Sequence, residues 1–460
     1  MTREFFVALG LYLLIFFMIG VLDLKKIKNF TDYSVAGKNQ SLWAVIMTLL
    51  ATVVGASTTI GITDTVYTIG FPGIWWLAFG ALGLVLQSVF LSEKVRSINA
   101  DTLPDLAKKT VGGVAETVIA LIIVVSWIGV IAGQFVAMKS LITFALGKEN
   151  TLVFAAVSII VLAYTAIGGQ MSVVKTDKIQ LGIIFLGILC CMGYLFWGIG
   201  GDTASVSENM ELMNENYGPM NLFTQFFVIG GVYFLGPDIM SRNFISKDGK
   251  TAKKSAAIAG LLLLVFSFVI TLVGMWMKYN ISPDEIGEGS VLMYAISLLP
   301  KPIAILLIFG LLSAIVSSTD TCIINASSIL VKDIVKKESV MNVRISVVAL
   351  GGAALLLAML GRSDIMNLLT GAYSVYTPGV IFPLAIAIFA YGKRELKKGL
   401  WMSAVILGGV FGILGNYFKM PLIALGVSEG LLSYFTLIGM GCSLVLSLAA
   451  VNWRKKNKWV

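Results

Sequence analysis

The stretch Ala51-Thr52-Val53-Val54-Gly55-Ala56-Ser57-Thr58-Thr59 interrupts an apolar run covering 42–69. It is small, β-branched and hydroxylated where a membrane helix would ordinarily carry Leu, Ile or Phe. A second interruption, Gly230-Gly231-Val232-Tyr233-Phe234-Leu235-Gly236-Pro237, falls inside the run 222–240 and ends on a proline that cannot donate a backbone hydrogen bond. The two breaks lie about 180 residues apart, and each opens a set of five apolar runs. Five is odd, so the second set enters a membrane from the opposite side to the first. Paired Gly/Pro-type interruptions in corresponding helices of an inverted repeat point to a binding site near the bilayer midplane. For either break alone, close glycine packing between helices is an equally good reading; the two in register favour the site.

Composition agrees with this reading. Of 460 residues 57% are hydrophobic and 13% charged, with a mean hydropathy of +0.90. Soluble domains carry about 25% charged residues, so half the usual polar surface is missing and lipid is the expected solvent. Thirteen apolar segments are long enough to cross about 30 Å of hydrocarbon: 5–22, 42–69, 73–93, 114–145, 151–168, 177–200, 222–240, 255–279, 301–332, 341–360, 364–391, 399–418 and 430–452. The expected fold is therefore an all-α polytopic membrane protein. Residues 1–40 form a leading span and loop, 41–200 the first five-helix repeat, 201–391 the inverted second repeat, and 392–460 two trailing spans with a basic C-tail. The first span is too long for a signal peptide's apolar region and is followed, not preceded, by Lys25, Lys26 and Lys28.

The bias of Lys and Arg among short loops sets orientation. With the N-terminus outside and the C-terminus in the cytoplasm, only Arg3, Lys148, Lys278, Lys301, Arg362 and Lys419 fall outside, and Lys139 lies within a span. The loop from Asp202 to Glu215 has no Lys or Arg, as an outer loop allows. The net charge of +9 is scattered over these loops rather than gathered on one face, so nucleic acid is excluded as a partner. The partners expected are lipid and a small solute, and the functional unit a single chain in the cell membrane.

Several chemistries drop out. There is no His, hence no general base of the commonest kind, and no paired acidic motif, so no enzyme is expected. Cys190, Cys191, Cys322 and Cys442 lie in apolar runs without metal-site spacing and read as packing residues. Gly249-Lys250-Thr251 resembles the end of a phosphate-binding loop, but Phe244 stands where the first glycine belongs. No cofactor is expected, and energy must come from somewhere other than ATP.

An unwound helix exposes carbonyls, and carbonyls facing a cavity replace the hydration shell of a monovalent cation. Segment nine supplies further oxygens in Ser313, Ser317, Ser318, Thr319, Asp320 and Thr321, of which Ser317, Asp320 and Thr321 share one face. A hydroxyl in a membrane helix often only bonds back to its own i−4 carbonyl. A carboxylate deep in a span is a functional-site hypothesis by default, which singles out Asp320. Asp177, between Lys175 and Lys178, reads equally as helix-terminal charge compensation. Asp64 and Lys139, toward the outer ends of segments two and four, are placed to pair, unless Lys139 snorkels to the surface.

These residues resemble the sodium:solute symporter family over about residues 30–390. The resemblance is carried by Asp32-Tyr33-Ser34-Val35-Ala36-Gly37-Lys38, Thr102-Leu103-Pro104-Asp105, Tyr164-Thr165-Ala166-Ile167-Gly168-Gly169 with Thr176-Asp177, Lys247-Asp248-Gly249-Lys250-Thr251-Ala252, and Ser317-Ser318-Thr319-Asp320 running into Asn325-Ala326-Ser327-Ser328. It implies a LeuT-type core with one leading and two trailing helices. It also implies a sodium site made by the carbonyls of Ala51, Val54 and Ala314 and the hydroxyls of Ser317 and Ser318. A second ion site would fall at Asp177, Asp320 and Thr321. Thr58, Gln87, Gln134, Tyr233 and Tyr373 would line the solute cavity, which is too sparsely polar for a sugar. A small amino acid such as proline, or a small carboxylate, fits better.

One sodium ion falling through 100 mV releases about 2.3 kcal/mol, and a tenfold gradient adds about 1.4. Together these sustain several-hundred-fold accumulation of a neutral solute. The rival readings are a proton-coupled carrier titrating Asp320 or Asp177, and a cation channel built on the same broken helices.

Overall fold

A computed structural model describes residues 2–287, 289–360 and 365–452. Arg362 and the basic C-tail lie outside the described residues. Among the described residues the protein is nearly all-helical, with one short antiparallel strand pair, Glu395–Leu396 with Val451–Asn452, and two isolated bridges. Ten helices among the described residues are long and apolar enough to cross a membrane, or eleven when the bent pair Leu42–Val53 and Ser57–Ile69 is taken as one span.

Helix starts follow local chemistry. Ser41, Thr102, Asn150 and Asp248 each accept a backbone N–H of the turn they precede, satisfying one of the donors a helix start leaves free. The Asp248 cap accounts for the Gly249-Lys250-Thr251 sequence: it opens the helix Gly249–Asn280 and is no phosphate loop.

Both expected interruptions are present. Leu42–Val53 stops at Val54 (φ −82°, ψ 82°), and the chain resumes at Ser57 with a 63° change of direction. Pro219–Leu235 stops at Gly236, which is extended (φ −76°, ψ 149°), and Pro237–Ile245 begins at once.

Segments five and six differ from expectation, because no loop separates them. Helix Thr151–Gly193 continues to Ile199, a run of 49 residues. At about 1.5 Å per residue that is roughly 70 Å, more than twice the hydrocarbon thickness. One residue breaks it, Gly169 (φ 55°, ψ −161°), where a side chain would also strike the ring of Tyr33. The break frees carbonyls, and two side chains take them up. Tyr33 OH donates to Thr165 and Ala166 at 3.2 and 3.0 Å, and Arg344 donates to Ala166 and Ile167 at 3.1 Å each. Segment thirteen is also shorter than expected: a turn at Glu429–Ser433 precedes a 16-residue helix, Phe435–Ala450.

Segment nine, Lys301–Ile329, is the central pillar. In its most apolar stretch 78% of residues are buried, against 33% in Glu4–Leu24 at the periphery. The outward faces carry large apolar side chains such as Leu152, Trp197, Val265 and Leu360, suited to lipid contact. Segment nine packs against segments two, four and five–six, which brings its serines to the first break.

Candidate functional site

The break in segment two is held open by its own side chains. Thr58 Oγ1 donates to the carbonyl of Val53 at 2.9 Å and accepts from Gly55 N at 2.8 Å, while Gln134 Oε1 accepts from Ala56 N at 3.3 Å. A hydroxyl three residues past Gly55 and five past Val53 thus replaces the lost helical partners. Segment nine approaches so closely that a Cβ on Gly55 would lie 2.4 Å from Ser318 Oγ. Ser317 Oγ donates to the carbonyls of Ala51 (2.8 Å) and Ala314 (3.1 Å), and Ser318 Oγ to Thr52 (2.9 Å). Four of the five residues named for the sodium site therefore converge. Val54 is the turning residue beside them, and Thr52 takes the Ser318 bond. The result is a buried cluster of neutral oxygens from two helices 266 residues apart in sequence.

The three residues named for a second ion site do not form one cluster. Arg242, fully buried, extends its Nη2 to the hydroxyls of Thr52 and Thr321 (2.6 Å to the latter) and lies 3.6 Å from Asp177. Thr48 donates its hydroxyl to the same Asp177 oxygen. Asp320 faces segment five instead, accepting from the Tyr164 hydroxyl and from Thr165 Oγ1 at 2.5 Å. Asp177 and Thr321 thus meet only through a guanidinium. No reading of the sequence singled out Arg242, because it lies just past the end assigned to segment seven and passes for a loop cation.

Beside the serines is a cavity of about 50 Å³. Of the five residues named for the solute, Gln134, Tyr233 and Tyr373 line it; Thr58 and Gln87 do not. Thr58 is spent on the break. Gln87 Nε2 donates to the carbonyls of Tyr233 and Phe234 at 3.3 Å each, tying segment three to the second break. Trp127, Asp238 and Cys322 also line the cavity and were not anticipated. Asp238 accepts from Trp127 Nε1 (2.6 Å), Asn325 Nδ2 (2.8 Å) and Cys322 Sγ (3.2 Å). The signal that would have found it is an acidic residue directly after the Gly-Pro break.

At the end carrying Asp64 the protein opens into pockets of about 810 and 500 Å³. Asp64 and Lys139 do not pair there. Asp64 Oδ1 accepts from Ser290 Oγ (3.1 Å) and Val291 N (2.8 Å), capping the short helix Val291–Leu298, and Lys139 pairs with Glu149 at 2.7 Å. A helix start offers a carboxylate free N–H groups, while Glu149 lies in the loop above Lys139. The opposite end is drawn shut by charge. Asp101 sits between Lys38 (2.5 Å) and Lys332, and Thr102 Oγ1 donates to Asp333 at 2.7 Å.

Two broken helices, facing hydroxyls and a small cavity beside them place the chain among membrane solute carriers of LeuT-like fold. The chain belongs to the sodium:solute symporter family, whose model matches residues 33–408. It is 24% identical to the osmoregulated proline transporter of Bacillus subtilis, over 89% of this chain and 88% of that protein. It is likewise 24% identical to a sodium/pantothenate symporter of Haemophilus influenzae (90% and 85% covered) and to a sodium/proline symporter of Staphylococcus aureus (98% and 93%). Among solved structures it is similar to a Na+-coupled sialic acid symporter in a substrate-bound outward-open state, with TM-score 0.80, 17% identity and 97% of each chain covered. A nucleobase-cation-symport-1 family transporter matches with TM-score 0.62 at 14% identity, covering 91% and 93%.

Proposed function

We propose that the protein takes up a small organic solute by sodium-coupled symport, with an amino acid such as proline, or a small carboxylate, as cargo. The observation that carries this is the contact of Ser317 and Ser318 with the carbonyls of Ala51 and Thr52 at the helix break. A dehydrated monovalent cation needs several neutral oxygens, and turning the two hydroxyls toward it would present those of Ala51, Val54, Ala314, Ser317 and Ser318 together. Bound there, the ion ties segment two to segment nine and prepares the adjoining cavity, which shares Ser318 with it. Loss of the ion to a low-sodium cytoplasm loosens that tie and favours opening at the other end. Membership of the family and the sodium-coupled relatives support the same reading. In this reading the chain has thirteen spans in a five-plus-five inverted repeat with three added helices. Its N-terminus is outside, so the wide pockets beside Asp64 face outward and the Asp101 cluster faces the cytoplasm.

The test is uptake into proteoliposomes at fixed pH, with an inward sodium gradient replaced by choline or by a pH gradient. Accumulation that follows sodium supports the assignment. Accumulation in choline medium driven by the pH gradient overturns it in favour of proton coupling.

A further inference from the structure

The cavity's chemistry separates the two kinds of cargo left open above. Three aromatic side chains line it, Trp127, Tyr233 and Tyr373, together with one carboxylate, Asp238; among the described residues no Lys or Arg lines it. Trp127 and Tyr373 ring centroids lie 6.4 Å apart with the planes 49° from parallel, a tilted pair rather than a stacked one. Asp238 is held in place by Trp127, Asn325 and Cys322. Two carboxylate oxygens offer about four acceptor positions, so three donors leave capacity toward the cavity.

The one buried cation nearby, Arg242, is shared between two carboxylates, Asp177 and Asp238, and cannot neutralise both. Arg242 directs its hydrogen bonds to Ser241, Thr52 and Thr321, and its ion pair is with Asp177. Aromatic faces around a fixed carboxylate attract a positive nitrogen by charge and by the ring quadrupoles. An anion with no amine would meet like charge in a low-dielectric site.

We infer that Asp238, within the aromatic walls of Trp127, Tyr233 and Tyr373, is the residue that selects the cargo, and that the cargo carries a cationic nitrogen. This rests on the symport reading above and narrows it to an amino acid or a related ammonium compound, against a simple carboxylate. A cargo carboxylate, where present, lies on the Ser318 side, toward the sodium oxygens, and its ammonium lies on Asp238.

The experiment is ligand-induced thermal stabilisation of the purified full-length protein, using pairs that differ only in the charged nitrogen: L-proline with cyclopentanecarboxylate, glycine betaine with tert-butylacetate, and L-alanine with isobutyrate, plus pantothenate and lactate as plain anions. The expected result is stabilisation by one or more nitrogen-bearing members and by none of their carbon analogues or the anions. In Asp238→Asn that response weakens roughly 10- to 100-fold, while sodium alone still raises the melting temperature, which shows that the variant is folded. Asp238→Glu keeps the preference for nitrogen at reduced affinity. Stabilisation by the anions or carbon analogues, or an undiminished amine response in a folded Asp238→Asn protein, overturns the inference. An amine response that is intact but indifferent to sodium overturns sodium coupling and leaves the selectivity of Asp238 standing.

Discussion

Ser317 Oγ lies 2.8 Å from the carbonyl oxygen of Ala51, a contact between the middle of segment nine and the last helical turn before the segment-two break. Ser318 makes the equivalent contact with Thr52. If these oxygens hold the coupling ion, removing one hydroxyl takes away one ligand without opening a large void. Ser317→Ala and Ser318→Ala are each expected to raise the sodium concentration for half-maximal uptake about 10- to 100-fold, the cost of one hydrogen bond to a charged group. Expression and maximal uptake at saturating sodium should change little. Uptake measured across a sodium series decides it: an unaltered half-maximal concentration in the double variant sinks the assignment.

At Gly55 the two helices lie in close contact, and the space a side chain would need belongs to Ser318. A methyl group there would lie 2.4 Å from Ser318 Oγ and 3.1 Å from its Cβ. Something must shift, and overpacking of this kind costs about 1–3 kcal/mol. Gly55→Ala should abolish sodium-dependent uptake while the protein still inserts and runs as a monodisperse peak in detergent. Pairing it with Ser318→Gly, which vacates the space, should restore helix packing, read as recovery of the melting temperature, without restoring ordinary sodium affinity.

The parts of this architecture that were legible in sequence are those where composition alone forces the backbone. Gly236 followed by Pro237 cannot continue a helix, and the small hydroxylated run at 51–59 supplies its own replacement bonds through Thr58. Ser317 is recognisable because it shares a helix face with the intramembrane carboxylate Asp320, and Ser318 only through the family resemblance. Choices among three-dimensional partners were not legible. Lys139 lies in reach of Glu149 rather than Asp64, and Arg242 claims Asp177 and Thr321 from a helix that is remote in sequence. Trp127 and Cys322 read as ordinary apolar residues, and only the fold turns them into donors to Asp238. The junction of segments five and six was misjudged because Gly169 and the caps from Tyr33 and Arg344 do the work of a loop.

Arg242 is buried with its counter-charge, so breaking the pair is costly in one direction only. Arg242→Gln removes the cation and leaves Asp177 with the Thr48 hydroxyl as its remaining partner. Stranding a buried charge in this way costs about 3–5 kcal/mol. The single variant should therefore express poorly or melt far below wild type. Adding Asp177→Asn removes the stranded charge and should recover a good part of the loss. Melting temperatures of the two singles and the double give the coupling directly; purely additive losses would mean that the 3.6 Å contact carries no energy.

At the end drawn shut by charge, Asp101 offers a pH test. Burial alone would raise its carboxyl, but hydrogen bonds and charge from Lys332 and Lys38 outweigh that and hold it below its ordinary value of 3.8. A carboxyl lowered by folding contributes stability that is present above its unfolded pKa and disappears as pH falls through the lower folded one. The contribution of Asp101 should thus be constant from pH 7 to about 5 and fade below about 4. Asp101→Asn loses bonds to two lysines of which 16% and 12% is exposed, at about 1.5–3 kcal/mol for a hydrogen bond to a charged group. The melting temperature of Asp101→Asn should lie below wild type by the same margin at pH 7 and pH 5, and the two curves should converge in acid. Because the cluster holds this end closed, the variant should also label faster at a cysteine placed at Ser241 or Ser328, deeper along the same path, with a membrane-permeant thiol reagent. Parallel melting curves down to pH 3.5, with unchanged labelling, would show that the Lys38–Asp101–Lys332 cluster is a surface ornament rather than a latch.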